Sequence, residues 1–289
     1  MTTYNTLYQS VKTLFREHGS IETPDLDARL LICAYAEFDQ ADFIVSGDKS
    51  VDKSVEKNVN ESVRRRLSGE PISKIFGMRE FWGMDFKVTK DTLSPRPETE
   101  ILIEQALKWI DRQGRRDDAL TILDMGTGTG CIPISLLSEL PNAKAIAIDK
   151  SATALKIAEE NSQKHKMNNR IEFIESDWFT NLECRKFDLI VSNPPYIPNL
   201  DKESLPKEVR NHDPSLALFG GVHGLDPYKI IFSKLNTHLN KAGRAFFEIG
   251  QNQLSDIARL VDESSLQLCD SEADLAGIPR VVEISCGDK

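Results

Sequence analysis

Apolar positions in this 289-residue chain change period as it proceeds. Leu7, Val11, Leu14 and Phe15 recur at helical spacing and predict a first amphipathic helix, stopped by Gly19. Thr23-Pro24-Asp25 has the form of a cap, a proline in the first turn and an early acid. Leu26, Leu30, Leu31 and Ala34 then carry the apolar face of a second helix. A short apolar segment, Phe43 to Val45, follows. Val51, Val55, Val59, Val63 and Leu67 repeat every four residues and predict another helix, with the helical run ending near Glu70-Pro71.

The pattern then shortens. Phe76, Phe81, Trp82 and Phe86, set among Gly77 and Gly83, predict a hairpin. Ser94-Pro95-Arg96-Pro97 opens a helix whose inner side is Ile101, Leu102, Gln105, Ala106 and Trp109. Beyond it, short apolar runs alternate with helical ones. Strands are expected at 120–124, 143–149, 171–174, 188–191 and 244–249, and helices at 131–139, 151–166, 228–239 and 251–262. Such alternation implies an α/β fold whose largely parallel sheet is covered on both faces. A last strand, 280–284, is expected antiparallel at the sheet edge. The chain thus divides into a helical domain at 1–72, a hairpin linker at 73–91 and a sheet domain at 92–289.

Charge narrows the partners. The net charge of −9, from 36 basic and 45 acidic residues, argues against a protein built to grip nucleic-acid backbone. The basic triplet Arg64-Arg65-Arg66 is expected on a solvated helix face. The 5 cysteines are odd in number and scattered without a C-x-x-C, so reduced thiols in a cytoplasmic protein are expected, with no disulfide frame and no metal site. No secretory signal is expected, and no run nears the roughly 18 apolar residues of a membrane span.

The chemistry concentrates at strand ends. Asn193-Pro194-Pro195-Tyr196 follows the apolar run 187–191. Two prolines stiffen the backbone and remove two donors. The corner can offer the Asn193 carboxamide oxygen and the Pro194 carbonyl side by side, with the Tyr196 ring against a flat conjugated –NH2 group. Asp124-Met125-Gly126-Thr127-Gly128-Thr129-Gly130 closes the first strand of the alternating region and opens a helix. Its G-x-G-x-G spacing lacks the third glycine position of dinucleotide folds and the Gly-Lys ending of phosphate loops, which favours a ligand without phosphate. Asp149, at the next strand end, suits the two hydroxyls of a ribose. Asp177 and Trp178 suit the amino group and face of an adenine. Together these positions point to S-adenosylmethionine as cofactor. At this level three functions stay open: methylation of a protein amide, of adenine in DNA or RNA, or cofactor binding without catalysis.

The sequence resembles the release factor glutamine methyltransferase family (HemK/PrmC). The resemblance rests on 77–83 (G-M-R-E-F-W-G), 94–100 (S-P-R-P-E-T-E), the loop 124–130, 176–179 (S-D-W-F), 193–197 (N-P-P-Y-I), Asp213-Pro214, Gly220-Gly221 and Glu248-Ile249-Gly250. It implies a seven-stranded Rossmann-like class I methyltransferase sheet behind a smaller all-α domain, joined by the hairpin. It implies methylation of the glutamine amide in the Gly-Gly-Gln tip of class I peptide-chain release factors. By match, Gly126, Thr127, Gly128, Thr129, Gly130, Asp149, Asp177, Trp178 and Asn193 contact S-adenosylmethionine. Asn193, Pro194, Pro195 and Tyr196 hold the glutamine, with Asn193, Pro194 and Tyr196 in the catalytic role. No stable nucleic-acid partner and no membrane are expected. His223 and Ser94 depart from the family pattern, which bears on local loop contacts.

Overall fold

A computed structural model describes residues 1–287 and separates two compact units. The first comprises Met1–Phe76 together with Lys207–His212, and the second Gly77–Pro206 and Asp213–Lys289.

The first unit begins with α1 (Tyr4–His18), α2 (Pro24–Ala36), α3 (Gln40–Val45), α4 (Lys53–Leu67) and α5 (Ile72–Phe76). Thr3 caps α1 through a reciprocal bond with Thr6, and Gly19 ends it at φ 75°. Val11, Phe15, Leu31, Ile32 and Val59 form its core. Two expected faces are corrected. Leu14 is exposed on α1, and α2 buries Asp27, Ala28, Leu31 and Ile32 while Leu26 and Leu30 face outward. The inward face of α2 joins Ala28, Leu31 and Ile32 to the core and also carries a buried charge. Asp27 Oδ2 accepts from Arg66 Nε at 2.7 Å, and both side chains are under 10 % exposed (6 % and 7 %). Arg66 also donates to Glu208 at 2.7 Å. The basic triplet is therefore not a solvated face: Arg64 is exposed, Arg65 grips Glu70, and Arg66 is buried.

The second unit opens with the hairpin β1 (Met78–Phe81) and β2 (Met84–Lys87), whose turn residues Trp82 and Gly83 both take positive φ. Then come α6 (Glu100–Arg112), β3 (Thr121–Met125), α7 (Cys131–Glu139), β4 (Lys144–Asp149), α8 (Ala152–Lys164), β5 (Ile171–Glu175) and β6 (Phe187–Ser192). The segment α9 (Lys207–His212) belongs to the first unit. The chain returns through α10 (Ser215–Leu218), α11 (Asp226–His238), β7 (Leu239–Glu248), α12 (Leu254–Glu263), β8 (Leu266–Ala273) and β9 (Pro279–Cys286).

Among the described residues the main sheet has seven strands in the order β5-β4-β3-β6-β7-β9-β8. The first five in this order pair parallel, and β9 pairs antiparallel with both neighbours. The last strand is thus not the edge: β8 covers it. Alternation along each strand feeds two cores. Ile122, Leu189, Val191 and Phe246 pack with α6 and α7, while Leu123, Ile190 and Phe247 pack with α11 and α12. Strand order reverses where β3 lies between β4 and β6, which opens a crevice at the carboxyl ends of these strands. No described helix is long and apolar enough to cross a membrane.

Candidate active site

A cleft of about 350 Å³ lies at that crevice. Gly126, Gly128, Asp149, Asp177, Trp178, Asn193 and Pro195 line it, with Leu93, Leu216, Ala217 and Phe219 as an apolar wall. Gly126 and Gly128 take φ 73° and 55°, a backbone region that a side chain disfavours, and this turns the chain from β3 into α7. Asp149 accepts from Gly128 N and Ser151 N, both at 2.9 Å, which fixes the carboxylate at the end of β4. Asp177 is exposed and pairs with Lys150 at 2.7 Å. Trp178 sits at φ 52°, a strained conformation for a bulky residue. Thr127, Thr129 and Gly130 do not line the cleft, and of the corner only Asn193 and Pro195 do, with Pro194 and Tyr196 behind them. Asn161 holds the Thr129 carbonyl, and Gly130 leaves room for Ala158 and Ile134 against α7.

Beneath the loop lies a residue that spacing did not single out. Asp124 is fully buried, and neither carboxylate oxygen meets a hydrogen-bond donor among the described residues. Burial pushes its carboxyl from an ordinary 3.8 up to about 7, only partly offset by the nearby Thr127 hydroxyl, which is not aligned into a bond. An acid before a glycine loop is readable in a sequence, but its lack of partners is not.

The corner after β6 is held on several sides. Ser192 Oγ donates to the Met125 carbonyl at 2.6 Å, tying β6 to β3. Gln253 Nε2 donates to the Tyr196 carbonyl at 3.0 Å and to the Gly224 carbonyl at 3.3 Å. A Cβ on Gly224 would stand 2.0 Å from the Tyr196 oxygen, so only glycine permits this approach. The Tyr196 hydroxyl donates to Glu248 Oε1 at 3.2 Å, and Glu248 beside it pushes the phenol pKa up. Asn193 Nδ2 donates to Thr99 Oγ1 at 3.1 Å. No described residue donates to Asn193 Oδ1 or to the Pro194 carbonyl.

The motifs before the sheet turn out to brace this corner. Thr99 Oγ1 donates to Glu248 Oε2 at 2.6 Å, Arg96 pairs with Asp213 at 3.0 Å, and Glu100 accepts from Trp82 N at 2.8 Å. Glu248 is fully buried, and desolvation raises its carboxyl from 4.5 to about 7 against the bonds from Thr99 and Tyr196. Asp124 and Glu248 both hold protons more tightly folded than unfolded. Between their ordinary values and about 7 the native chain binds more protons, so their contribution to stability falls as pH rises through that window.

Residues 6–77 match the family model described as the PrmC N-terminal domain, and residues 99–208 match the methyltransferase small domain. Over 264 residues the chain is 39% identical to the release factor glutamine methyltransferase of Agrobacterium fabrum, covering 91% of each chain. The chain belongs to the release factor glutamine methyltransferase family. A further member of that family, from Geobacter sulfurreducens, is 36% identical over 262 residues, covering 91% of this chain and 89% of its own. Among solved structures, a methyltransferase from Pyrococcus furiosus is similar at a TM-score of 0.53 and 16% identity, over 79% of this chain and 100% of that one. That last likeness is one of fold. Membership in the family agrees with the N-P-P-Y corner and the glycine loop meeting at one crevice.

Proposed function

We propose that this protein transfers a methyl group from S-adenosylmethionine to the side-chain amide nitrogen of the glutamine in the Gly-Gly-Gln motif of class I peptide-chain release factors. The observation that carries the reading is the pair of untaken acceptors, Asn193 Oδ1 and the Pro194 carbonyl, beside a crevice shaped by Gly126 and Gly128. An amide –NH2 has two donors, and two acceptors match them.

The residues present fit the cofactor. Asp124 and Thr127 lie beneath the glycine loop, outside the cleft lining, and their buried polar atoms without partners put negative charge under the loop, which favours the ammonium end of an amino acid above it. Asp149 retains acceptor capacity for a ribose, since each carboxylate oxygen has two lone pairs and its backbone bonds use one apiece. Trp178 and Phe219 supply flat apolar surface. Bound S-adenosylmethionine supplies an electrophilic methyl group on a sulfonium centre. The chain's own task is then orientation. A glutamine nitrogen is a poor nucleophile because its lone pair is shared with the carbonyl. Accepting both of its hydrogens at Asn193 and Pro194 draws electron density onto nitrogen and fixes its direction, while Tyr196 packs on the planar group.

The acidic balance of −9 supports a protein substrate over a nucleic acid. A cytoplasmic site of action is supported by cysteines that are unpaired among the described residues. Asp124→Asn is expected to weaken cofactor binding about 10- to 100-fold, because a charge-assisted contact is lost. The same change should raise the melting temperature of the ligand-free protein above neutral pH, where the buried carboxylate is otherwise ionised. Calorimetric titration and a melt check both. Mass spectrometry of a release factor incubated with enzyme and cofactor tests the function: a single methyl on the tip glutamine is expected. Methyl transfer to DNA or RNA with none to the release factor would refute it.

A further inference from the structure

Asn193 is useful only in one of the two orientations of its carboxamide. The oxygen must face the substrate amide, because the –NH2 edge would oppose that amide's own hydrogens. Nothing in Asn193 itself sets this choice, since the two edges have nearly the same shape. We propose that Thr99 and Glu248 are positioning residues that set the polarity of the Asn193 side chain, an inference that rests on the reading of Asn193 as the amide acceptor.

Thr99 has a single hydroxyl proton and gives it to Glu248 Oε2 at 2.6 Å. Its oxygen can then only accept, and it accepts from Asn193 Nδ2 at 3.1 Å. The –NH2 edge is thereby consumed inside the protein, and Oδ1 is left on the opposite edge. Glu248 can play this part because its other oxygen also accepts, from the Tyr196 hydroxyl at 3.2 Å, so an ionised carboxylate orients both corner residues. Thr99 and Glu248 are 2 % and 1 % exposed, so water does not compete for these bonds. Tyr228 donates to the Glu248 carbonyl at 2.7 Å and holds the backbone of β7 beneath them.

Protonation would invert the chain of bonds. A neutral Glu248 can donate to Thr99, which frees the threonine proton for Asn193 Oδ1. The carboxamide then turns its –NH2 edge outward and the acceptor is lost. Burial pushes the Glu248 carboxyl up to about 7, and the charged or titratable groups around it are Glu98, which raises it, Arg280, which lowers it, and the neighbouring phenols Tyr196 and Tyr228, with Arg96 acting on Tyr196. Turnover is therefore expected to rise with pH through that region, while the contribution of this carboxyl to stability falls.

The test uses the full-length enzyme, a purified release factor and mass spectrometry of the tip glutamine. Thr99→Val keeps the shape and removes the hydroxyl, Thr99→Ser restores it, and Glu248→Gln removes the titrating group. Thr99→Val should lower kcat about 10²-fold through misorientation, with KM for the release factor and cofactor affinity nearly unchanged. Thr99→Ser should recover most of the loss, which a packing defect would not predict. The rise of kcat through about 7 should disappear in Glu248→Gln. Wild-type kcat in Thr99→Val, or an unchanged pH rise in Glu248→Gln, would overturn the proposal while leaving the function standing. A wild-type enzyme that leaves the glutamine unmethylated would overturn both.

Discussion

Asn193→Ala is expected to lower methyl transfer about 10²–10³-fold while cofactor binding stays measurable. The size follows from what the side chain does. A single neutral hydrogen bond contributes only about 0.5–1.5 kcal/mol to stability. Alignment of a nucleophile can lower a barrier by about 7–11 kcal/mol, and an amide nitrogen held by the Pro194 carbonyl alone can swing away from the methyl group. Asn193 is half-buried and its side chain is bonded, among the described residues, through Nδ2 to Thr99, so its truncation leaves the β3 loop and Asp149 in place. Calorimetric titration with the cofactor and single-turnover methyl transfer separate the two effects. Near-wild-type turnover in this variant would remove the basis for the proposed chemistry.

The largest effect on stability is expected at Arg66. Arg66→Ala strands the buried Asp27 carboxylate and leaves Glu208 without its cation, and breaking such a pair costs about 3–5 kcal/mol. The loss should appear as faster hydrogen exchange across α1, α2 and α4, where the surrounding core is Val59, Leu31 and Phe15. Arg64→Ala, one turn-face away and exposed, serves as the comparison and should stay near wild type. The paired change Asp27→Leu with Arg66→Met should recover much of the loss, because well-packed apolar residues replace a buried ion pair at little cost. Equal exchange in Arg66→Ala and Arg64→Ala would contradict a buried structural role.

The parts of this molecule that were legible in the sequence are those set by local spacing. The parallel strands carry continuous apolar runs because both faces are covered, and helices such as α4 repeat valine every four residues. The glycine loop, Asp149, Trp178 and Asn193 were readable because each sits at the end of such a run. What escaped was set by distant partners. Arg66 looks like part of a basic triplet until Asp27, 39 positions earlier, and Glu208, 142 later, are brought to it. β8 offers no apolar run, since most of its residues are exposed at the sheet edge, and so β9 was expected there instead. Thr99 and Glu248 stood out only as members of separate motifs. A threonine in a proline-rich turn and a glutamate in a strand carry no sign of each other, yet they are 149 residues apart in sequence and 2.6 Å apart in space.

The most direct test of the central claim is a ternary crystal structure with the demethylated cofactor and a release factor. The tip glutamine nitrogen is expected within hydrogen-bond distance of both Asn193 Oδ1 and the Pro194 carbonyl, with Tyr196 against its plane. A glutamine that enters elsewhere, or an Asn193 whose nitrogen faces it, would contradict the account.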